Sequence, residues 1–304
     1  MEALAAVLCL RTTGWKHYED NIHRANLLFG TLSFQWTSQH PLSVYVVMRP
    51  DELASAKQTL LAWPNIEFVF VDENDVIAGI SDYPFGGWTK QQLLKLAMGS
   101  LLPTAFYITL DPDIFCCKPV GAESLVRDGK ALTGWEPKST HTDWWEGSAR
   151  TLSLPEVQSE LVLGVTPNVL SKQISNSLVE HCKSLSEKPW WEYLISWHYD
   201  HGVESWTEYS LYNTFGSFAG LMEKLHWGPD VCKNHPRLIS WNSMWDKNYA
   251  KNWSPEKSFG ATGDAYFTVC QSTQLIETRE IFEAIKQHLP PAISDRLDKN
   301  LGSQ

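Results

Sequence analysis

The sequence predicts an α/β fold in which a mixed, mostly parallel sheet is flanked by helices, followed by a more irregular, helical C-terminal half. Two observations lead to this class. Short β-rich segments alternate with helix-like segments through the first third of the 304 residues, and Pro41 and Pro64 mark returns from helix to strand. This alternation is typical of a parallel sheet covered by helices, and the chain is long enough to bury the core that such a sheet needs.

The predicted elements follow from residue type and periodicity. Four strands rich in β-branched or aromatic residues are predicted in the first part, at 5–10, 43–48, 66–71 and 105–110. Helical periodicity predicts helices between them at 18–36 and 51–63. The second half predicts strands at 161–165 and 265–270 and helices at 168–185, 190–197, 209–225 and 274–288. Residues 291–304 begin at the second of two consecutive prolines and are expected to form a polar tail.

A further helix is predicted before the fourth strand, because Thr89 and Gln92 have the spacing of a capping box. In this helix Gln91 and Lys95 are four residues apart and therefore share a face. An amide and a cation on one face can meet a phosphate or a ribose. The alternative is an ordinary solvated face.

Charge and composition exclude several classes of protein. The formal net charge of -10 and the lack of a Lys/Arg run argue against nucleic-acid binding. The first apolar stretch is short and lacks a basic leader, so we expect a buried strand there, and no stretch is long enough for a membrane span. The six cysteines have no CxxC spacing and several lie in apolar runs. Reduced thiols and a cytoplasmic location are therefore expected.

The strongest candidate for a ligand site is the run Asp111, Pro112 and Asp113, which directly follows the fourth predicted strand. Ligands of open α/β sheets bind beyond the carboxyl ends of the strands. Two carboxylates two residues apart, with a proline between them that fixes φ, can converge on one Mg²⁺ or Mn²⁺ ion. A simple turn capped by Asp111 is the alternative. The position favours the cation site, because the chain lacks a GxGxxG or Walker A phosphate loop.

Glu208 is the candidate catalytic residue. It precedes Leu211 and Tyr212 by three and four residues, so it continues the apolar stripe of its predicted helix and should face inward. A buried carboxylate is costly unless paired, and such groups are candidate catalytic acids or bases. Ser205 and Glu208 also have the Ser-x-x-Glu spacing of a capping box, which would explain Glu208 without catalysis.

Fifteen tryptophans are more than a chain of this length usually contains, and many lie in polar, loop-like sequence. Aromatic faces stack on sugar rings and on bases. Trp144 and Trp145, with His141 and Asp143 beside them, are therefore candidates for an acceptor surface. A surface loop with incidental aromatic residues is the alternative for this segment.

Four sequence blocks resemble those of the DUF6492 family, bacterial proteins grouped with GT-A glycosyltransferases. They are GWTKQQLLKL at 87–96, FYITLDPD at 106–113, GVTPNVL at 164–170 and WTEYSLY at 206–212. The resemblance covers roughly residues 5–275, and its motifs are specific in combination. It implies a Rossmann-like GT-A fold in one catalytic domain at 1–290. Residues 1–120 would be its nucleotide-binding half and residues 121–290 its acceptor-binding half.

The resemblance also implies a metal-dependent glycosyltransferase. Such an enzyme would move a sugar from a nucleotide-diphosphate sugar to a hydroxyl acceptor such as a carbohydrate, in the synthesis of a glycan or surface polysaccharide. Inversion is expected, with Glu208 as the base that deprotonates the acceptor. Mn²⁺ or Mg²⁺ would be bound by Asp111, Asp113 and His235, the last in place of the late histidine that GT-A enzymes often use.

Two sets of binding residues complete what the resemblance implies. Donor binding is expected at Arg11, Asp72, Lys90, Gln91, Lys95 and Asp111. Acceptor binding is expected at Trp144, Trp145, Thr166, Glu208 and Tyr209.

Two other functions stay open. A metal-dependent nucleotidyltransferase or phosphoesterase would use the same aspartate pair, although residues 11–14 only faintly resemble the Gly-rich loop of nucleotidyltransferases. A non-catalytic carbohydrate-binding protein would explain the aromatic residues. It would not explain an inward-facing Glu208 or the carboxylates at a strand end.

Overall fold

The structure is a computed structural model that describes residues 4–14, 16–18, 20–84, 86–201, 205–245 and 253–302. In these ranges the strands are β1 Leu4–Cys9, β2 Leu42–Met48, β3 Ile66–Asp72, β4 Phe106–Leu110, β5 Ile114–Cys116, β6 Val126–Arg127, β7 Lys130–Ala131, β8 Trp135–Pro137, β9 Leu161–Leu163, β10 Asn168–Ser171, β11 Arg237–Ile239 and β12 Ala265–Val269. The α-helices are α1 Asn21–Gln35, α2 Pro50–Thr59, α3 Glu73–Val76, α4 Gly87–Ala97, α5 Ala122–Leu125, α6 Thr142–Thr151, α7 Lys172–Ser184, α8 Trp190–His201, α9 Glu208–Phe218, α10 Met222–Leu225, α11 Pro229–Cys232, α12 Pro255–Phe259, α13 Thr278–Ile285 and α14 Pro291–Leu301.

The main sheet has five strands in the order β10-β4-β1-β2-β3. The strands β1 to β4 are mutually parallel, and β10 pairs antiparallel with β4. The predicted class, a mixed and mostly parallel sheet flanked by helices, is therefore confirmed. The chain runs outward from β1 through β2 to β3 and then returns to the other side of β1 as β4. The strand order thus reverses between β1 and β4, which is where open α/β sheets bind their ligands.

The first strand shows why the segments of this sheet are almost continuously apolar. Successive side chains of a strand point to opposite faces. Ala6 and Leu8 accordingly belong to a core beneath α1, α13 and α14, whereas Ala5 and Val7 belong to a second core beneath α4, α7 and α9. Because helices cover both faces, every residue of β1 is buried.

A smaller sheet, in the order β11-β12-β5, adjoins the end of β4. Its strand β5 begins directly after Asp113, and β12 runs antiparallel to it. The backbone N–H of Cys270 donates to the carbonyl of Asp113 at 2.9 Å. The end of β12 is therefore held beside the aspartate run.

Several predicted elements differ from the structure. The first four residues of the helix expected at 168–185 form β10, because their backbone groups pair with the open edge of β4. The helix expected at 209–225 is two helices separated at Gly220, whose φ of +63° suits glycine. The expected polar tail is the helix α14, which packs on α1 through Ile293 and Leu297, four residues apart.

The helix expected to start near Thr89 begins earlier, at Gly87, and Gly86 caps it without a side-chain hydrogen bond. Thr89 and Gln92 therefore form no capping box. None of the helices in the described part of the chain is long and apolar enough to cross a membrane.

Candidate functional site

A buried cluster of charged residues lies beyond the end of β4, at the point where the strand order reverses. The ammonium of Lys95, on α4, is 2.9 Å from Asp111 Oδ1 and 3.0 Å from Glu208 Oε1. It also donates a hydrogen bond of 3.2 Å to Thr166 Oγ1. The Lys95 and Glu208 side chains are 1% and 6% exposed, and that of Asp111 is 23% exposed. One cation therefore joins a strand end, a helix start and the turn before β10.

A network of hydrogen-bonded hydroxyl groups adjoins this cluster. The phenol of Tyr209 is 2.8 Å from Thr166 Oγ1 and 2.7 Å from Thr109 Oγ1. Thr109 in turn donates to the carbonyl of Asn168 at 3.1 Å. Because all four residues are buried, their positions are fixed by hydrogen bonds across β4 and β10. Thr109 and Asn168 were not predicted as site residues.

The start of α9 holds Glu208 in the cluster. Thr207 is the N-cap: its side chain accepts from the N–H of Ser210, whose hydroxyl accepts from the N–H of Thr207. This capping box uses Ser210, so the alternative in which Glu208 pairs with Ser205 is wrong. The backbone N–H of Glu208 instead donates to Gln92 Oε1 at 3.0 Å. The predicted inward orientation of Glu208 is confirmed. Its carboxylate takes no part in the capping box of α9.

Burial and charge shift the pKa values of the cluster in opposing ways. Burial raises the pKa of Glu208, although the Lys95 ammonium lowers it. Burial alone would lower the pKa of Lys95, but Asp111 and Glu208 together raise it well above its ordinary value. Burial and then the charge of Asp111 raise the pKa of Asp113. When the carboxylates of Asp111, Asp113 and Glu208 are ionised, these three residues and Lys95 together carry a net charge of -2.

Asp113 is almost fully buried beside the smaller sheet. Its Oδ2 accepts a hydrogen bond of 2.7 Å from the backbone N–H of Ser272. The guanidinium of Arg24, on α1, lies behind it and donates to the carbonyl of Cys270 at 2.9 Å. Neither Arg24 nor Ser272 was predicted, because nothing in the local sequence links either residue to Asp113.

A small pocket lies next to this cluster, at the end of β1 and beside α4. It is lined by Cys9, Leu10, Arg11, Val47, Glu73, Gly87, Lys90, Gln91 and Leu94. Arg11 lies 3.5 Å from the buried carboxylate of Glu73, and Lys90 donates to the carbonyl of Ser81 at 3.1 Å. Three of the predicted donor residues, Arg11, Lys90 and Gln91, are thus brought together here.

Asp72, another predicted donor residue, lies at the end of β3. Its carboxylate caps the short helix α3 by accepting from the N–H of Asn74 at 2.8 Å. It is not among the residues that line the pocket.

The structure does not bring His235 to the aspartates. Its ring packs on Trp227, with ring centroids 4.6 Å apart. Among the described residues there is no group of three or more His, Cys, Asp or Glu side chains that could hold a metal ion. Asp111, Asp113 and His235 therefore do not form one group in the structure.

The aromatic segment expected to be an acceptor loop is the start of the helix α6. Trp145 is 1% exposed and packs with Val157 and Val162, so it serves the core and does not reach an acceptor from this position. Trp144 is partly exposed and stacks on His141, with ring centroids 3.7 Å apart. The local pattern was polar, but the helix buries one of its two tryptophans.

The sequence profile of the family of unknown function DUF6492 matches residues 1–293. The chain belongs to this family. No curated protein matches the chain. Among solved structures, the apo form of mouse xyloside xylosyltransferase 1 aligns with 90% of this chain and 99% of that chain, at 12% identity and a TM-score of 0.49. A similarity at this level carries no argument about function.

Proposed function

We propose that this DUF6492 protein is a metal-dependent glycosyltransferase of the GT-A type that uses a nucleotide-diphosphate sugar. The observation that carries the proposal is the contact of Lys95 with both Asp111 and Glu208. It places a strand-end carboxylate and a buried helix-start carboxylate at the reversal point of a mostly parallel sheet. This is the position where α/β proteins bind nucleotides, and buried carboxylates there are candidate catalytic groups.

The aspartate pair fits a divalent cation. Asp111 Oδ1 is buried and accepts no hydrogen bond, and its only described ionic contact is Lys95. Mg²⁺ usually binds one or two carboxylates together with substrate phosphates and water, so two protein ligands suffice. Mn²⁺ or Mg²⁺ held by Asp111 and Asp113 would offset the charge of the departing nucleoside diphosphate.

We assign the donor nucleotide to the surface over the small pocket at the end of β1, which is too narrow to enclose a base or a ribose. Arg11 and Lys90 bring two cations to its wall, and Gln91 adds an amide. The pocket and the aspartate pair lie beyond the ends of two adjacent strands, β1 and β4. A base or ribose bound over this pocket would therefore place the diphosphate toward Asp111.

Glu208 is assigned to the acceptor. Its buried carboxylate takes the proton of the acceptor hydroxyl, the hydroxyl oxygen forms the new bond to the anomeric carbon, and the nucleoside diphosphate leaves with the electrons of the broken bond. Thr166 accepts a hydrogen bond from Lys95 and is hydrogen-bonded to Tyr209. We assign these two residues to orienting the acceptor. Attack opposite the leaving group would invert the anomeric carbon.

The proposal is tested by a thermal-shift panel of UDP-, GDP-, CMP- and dTDP-linked sugars with and without Mn²⁺. Metal-dependent stabilisation by one nucleotide class is expected, since ligands of the folded state raise its stability. Product analysis then separates the alternatives. Release of nucleoside diphosphate supports a transferase, whereas release of a sugar phosphate indicates a phosphoesterase. Stabilisation by free sugars alone indicates a carbohydrate-binding protein and would overturn the proposal.

A further inference from the structure

The helix α4 presents two different faces to the site. One face lines the pocket at the end of β1, with Gly87, Lys90, Gln91 and Leu94. The other face contacts the start of α9: Gln92 accepts from the N–H of Glu208, and Lys95 pairs with its carboxylate. With 3.6 residues per turn, the centres of the two faces are roughly 100° apart, and Gln91 and Lys95, which are four residues apart, adjoin where the faces meet. The helix therefore separates the proposed donor pocket from the side on which Glu208 meets the acceptor.

Trp88 lies on the Glu208 side of this helix. It precedes Gln92 by four residues and Lys95 by seven, which places it on the same stripe, about 10 Å toward the helix start. Lys95 is buried, whereas Trp88 is 40% exposed. The stripe formed by Lys95, Gln92 and Trp88 thus begins at the buried carboxylates and ends at the partly exposed indole of Trp88.

A series of neighbouring rings connects Trp88 to the start of α9. The imidazole of His198 lies between Trp88 and Trp206, with ring centroids 6.2 Å and 3.9 Å away. Trp206 is fully buried two residues before Glu208, and its indole N–H donates to the carbonyl of Leu194. Trp88 therefore lies beside a buried pair of stacked rings, and part of its side chain is exposed to solvent.

We infer that Trp88 is a stacking surface for a pyranose ring of the acceptor, and hence that the acceptor is a carbohydrate. The negatively polarised face of an indole attracts the C–H groups of a sugar ring, and its apolar area is removed from water by the contact. The distance of about 10 Å from Lys95 means that the stacked ring is not the one that reacts. This inference rests on the proposed function and adds the class of acceptor.

The test compares acceptor and donor kinetics in variants of Trp88. The donor is the nucleotide sugar that stabilises the wild-type protein, and the acceptors are p-nitrophenyl glycosides of monosaccharides and disaccharides. Trp88→Ala should raise the acceptor KM for disaccharides about tenfold, while Trp88→Phe should raise it by no more than about threefold. The donor KM should change by less than about twofold. The control is Phe218→Ala, because Phe218 is 60% exposed at the far end of α9.

Two failures are distinguishable. A wild-type protein that binds no nucleotide sugar would refute the proposed function and this inference with it. Normal use of the donor, combined with an unchanged acceptor KM in the Trp88→Ala protein or with no transfer to any glycoside, would refute this inference alone. A parallel rise of donor and acceptor KM would also contradict it, because it would indicate a general disturbance of α4.

Discussion

Lys95 and Glu208 form an ion pair of 3.0 Å in which both side chains are almost fully buried. The two residues are 113 positions apart in the chain and belong to different helices. The same ammonium contacts Asp111 at the end of β4. The Lys95 side chain therefore pairs with carboxylates from two elements. Its positive charge offsets the cost of removing each carboxylate from water.

Replacement of Lys95 by methionine should destabilise the protein by about 3–5 kcal/mol, because the buried Glu208 carboxylate and the partly buried Asp111 carboxylate lose their cation. Urea unfolding measures the change. The double variant Lys95→Met with Glu208→Gln should lose less than the sum of the two single variants, since the second change removes one of the uncompensated charges. Additive losses would show that the ion pair has no energetic coupling.

Replacement of Glu208 by glutamine should lower kcat at least about a hundredfold, the usual scale for loss of a general base. Glutamine keeps the size of the side chain, and the backbone contact with Gln92 does not depend on the carboxylate. Stabilisation by donor and Mn²⁺ should therefore persist in a thermal-shift assay. Unchanged turnover would mean that Glu208 has only a structural role.

The pH dependence of turnover gives a second test of Glu208. Burial raises its pKa, so protonation and loss of rate should begin at a higher pH than for an ordinary glutamate. Because the Lys95 charge lowers that pKa, residual activity of Lys95→Met should show its acid limb at still higher pH. If the acid limb lay at the same pH in both proteins, the ionisation that limits turnover would not be that of Glu208.

Asp113→Asn should weaken Mn²⁺ and donor binding together. Asparagine can still accept the hydrogen bond from the N–H of Ser272, so the main loss is one negative charge. Calorimetric titration with Mn²⁺, with and without donor, measures both affinities. Asp230→Asn is the matched control, since Asp230 on α11 is exposed and pairs with Lys233. Equal donor affinity in the wild-type and Asp113→Asn proteins would remove Asp113 from the proposed metal site.

Local sequence was sufficient to predict much of this molecule. The four parallel strands of the main sheet could be predicted, and β1 and β4 are the clearest, because both of their faces are covered and each is a short apolar run. The position of Asp111 and Asp113 at a strand end followed from the same pattern. The inward orientation of Glu208 could be predicted because it needs only the spacing within one helix.

Contacts between distant segments could not be predicted in this way. The pairing of Lys95 with Glu208 depends on how α4 packs beside α9, which no local pattern encodes. The strand β10 was missed because its pairing partner is β4, about sixty residues earlier in the chain. Trp145 was assigned to an exposed loop because its neighbours are polar, yet the fold buries it against Val157 and Val162.

Glu136 should make stability depend on pH. Burial raises its pKa from 4.5 to about 7. The folded protein therefore binds its proton more tightly than the unfolded chain, so this stability is fully present below about pH 4.5 and is lost as pH rises through 7. Denaturant titrations at pH 5 and pH 8 should show a loss of about 2 kcal/mol in the wild type that is smaller in Glu136→Gln. If the stability of both proteins depended equally on pH, the raised pKa of Glu136 would be contradicted.

Gly147→Ala should disturb the segment that leads into Glu208. A Cβ atom at Gly147 on α6 would lie 1.5 Å from the carbonyl oxygen of Ser205, so the two segments must move apart. We expect a loss of stability of about 1–3 kcal/mol or more, together with a lower kcat, because Ser205 is three residues before Glu208. Urea unfolding and steady-state kinetics measure these effects. Gly228→Ala is the matched control, since a Cβ there meets no atom within 4 Å and its φ is -66°. Equal behaviour of the two variants would mean that the close approach of α6 does not position Glu208.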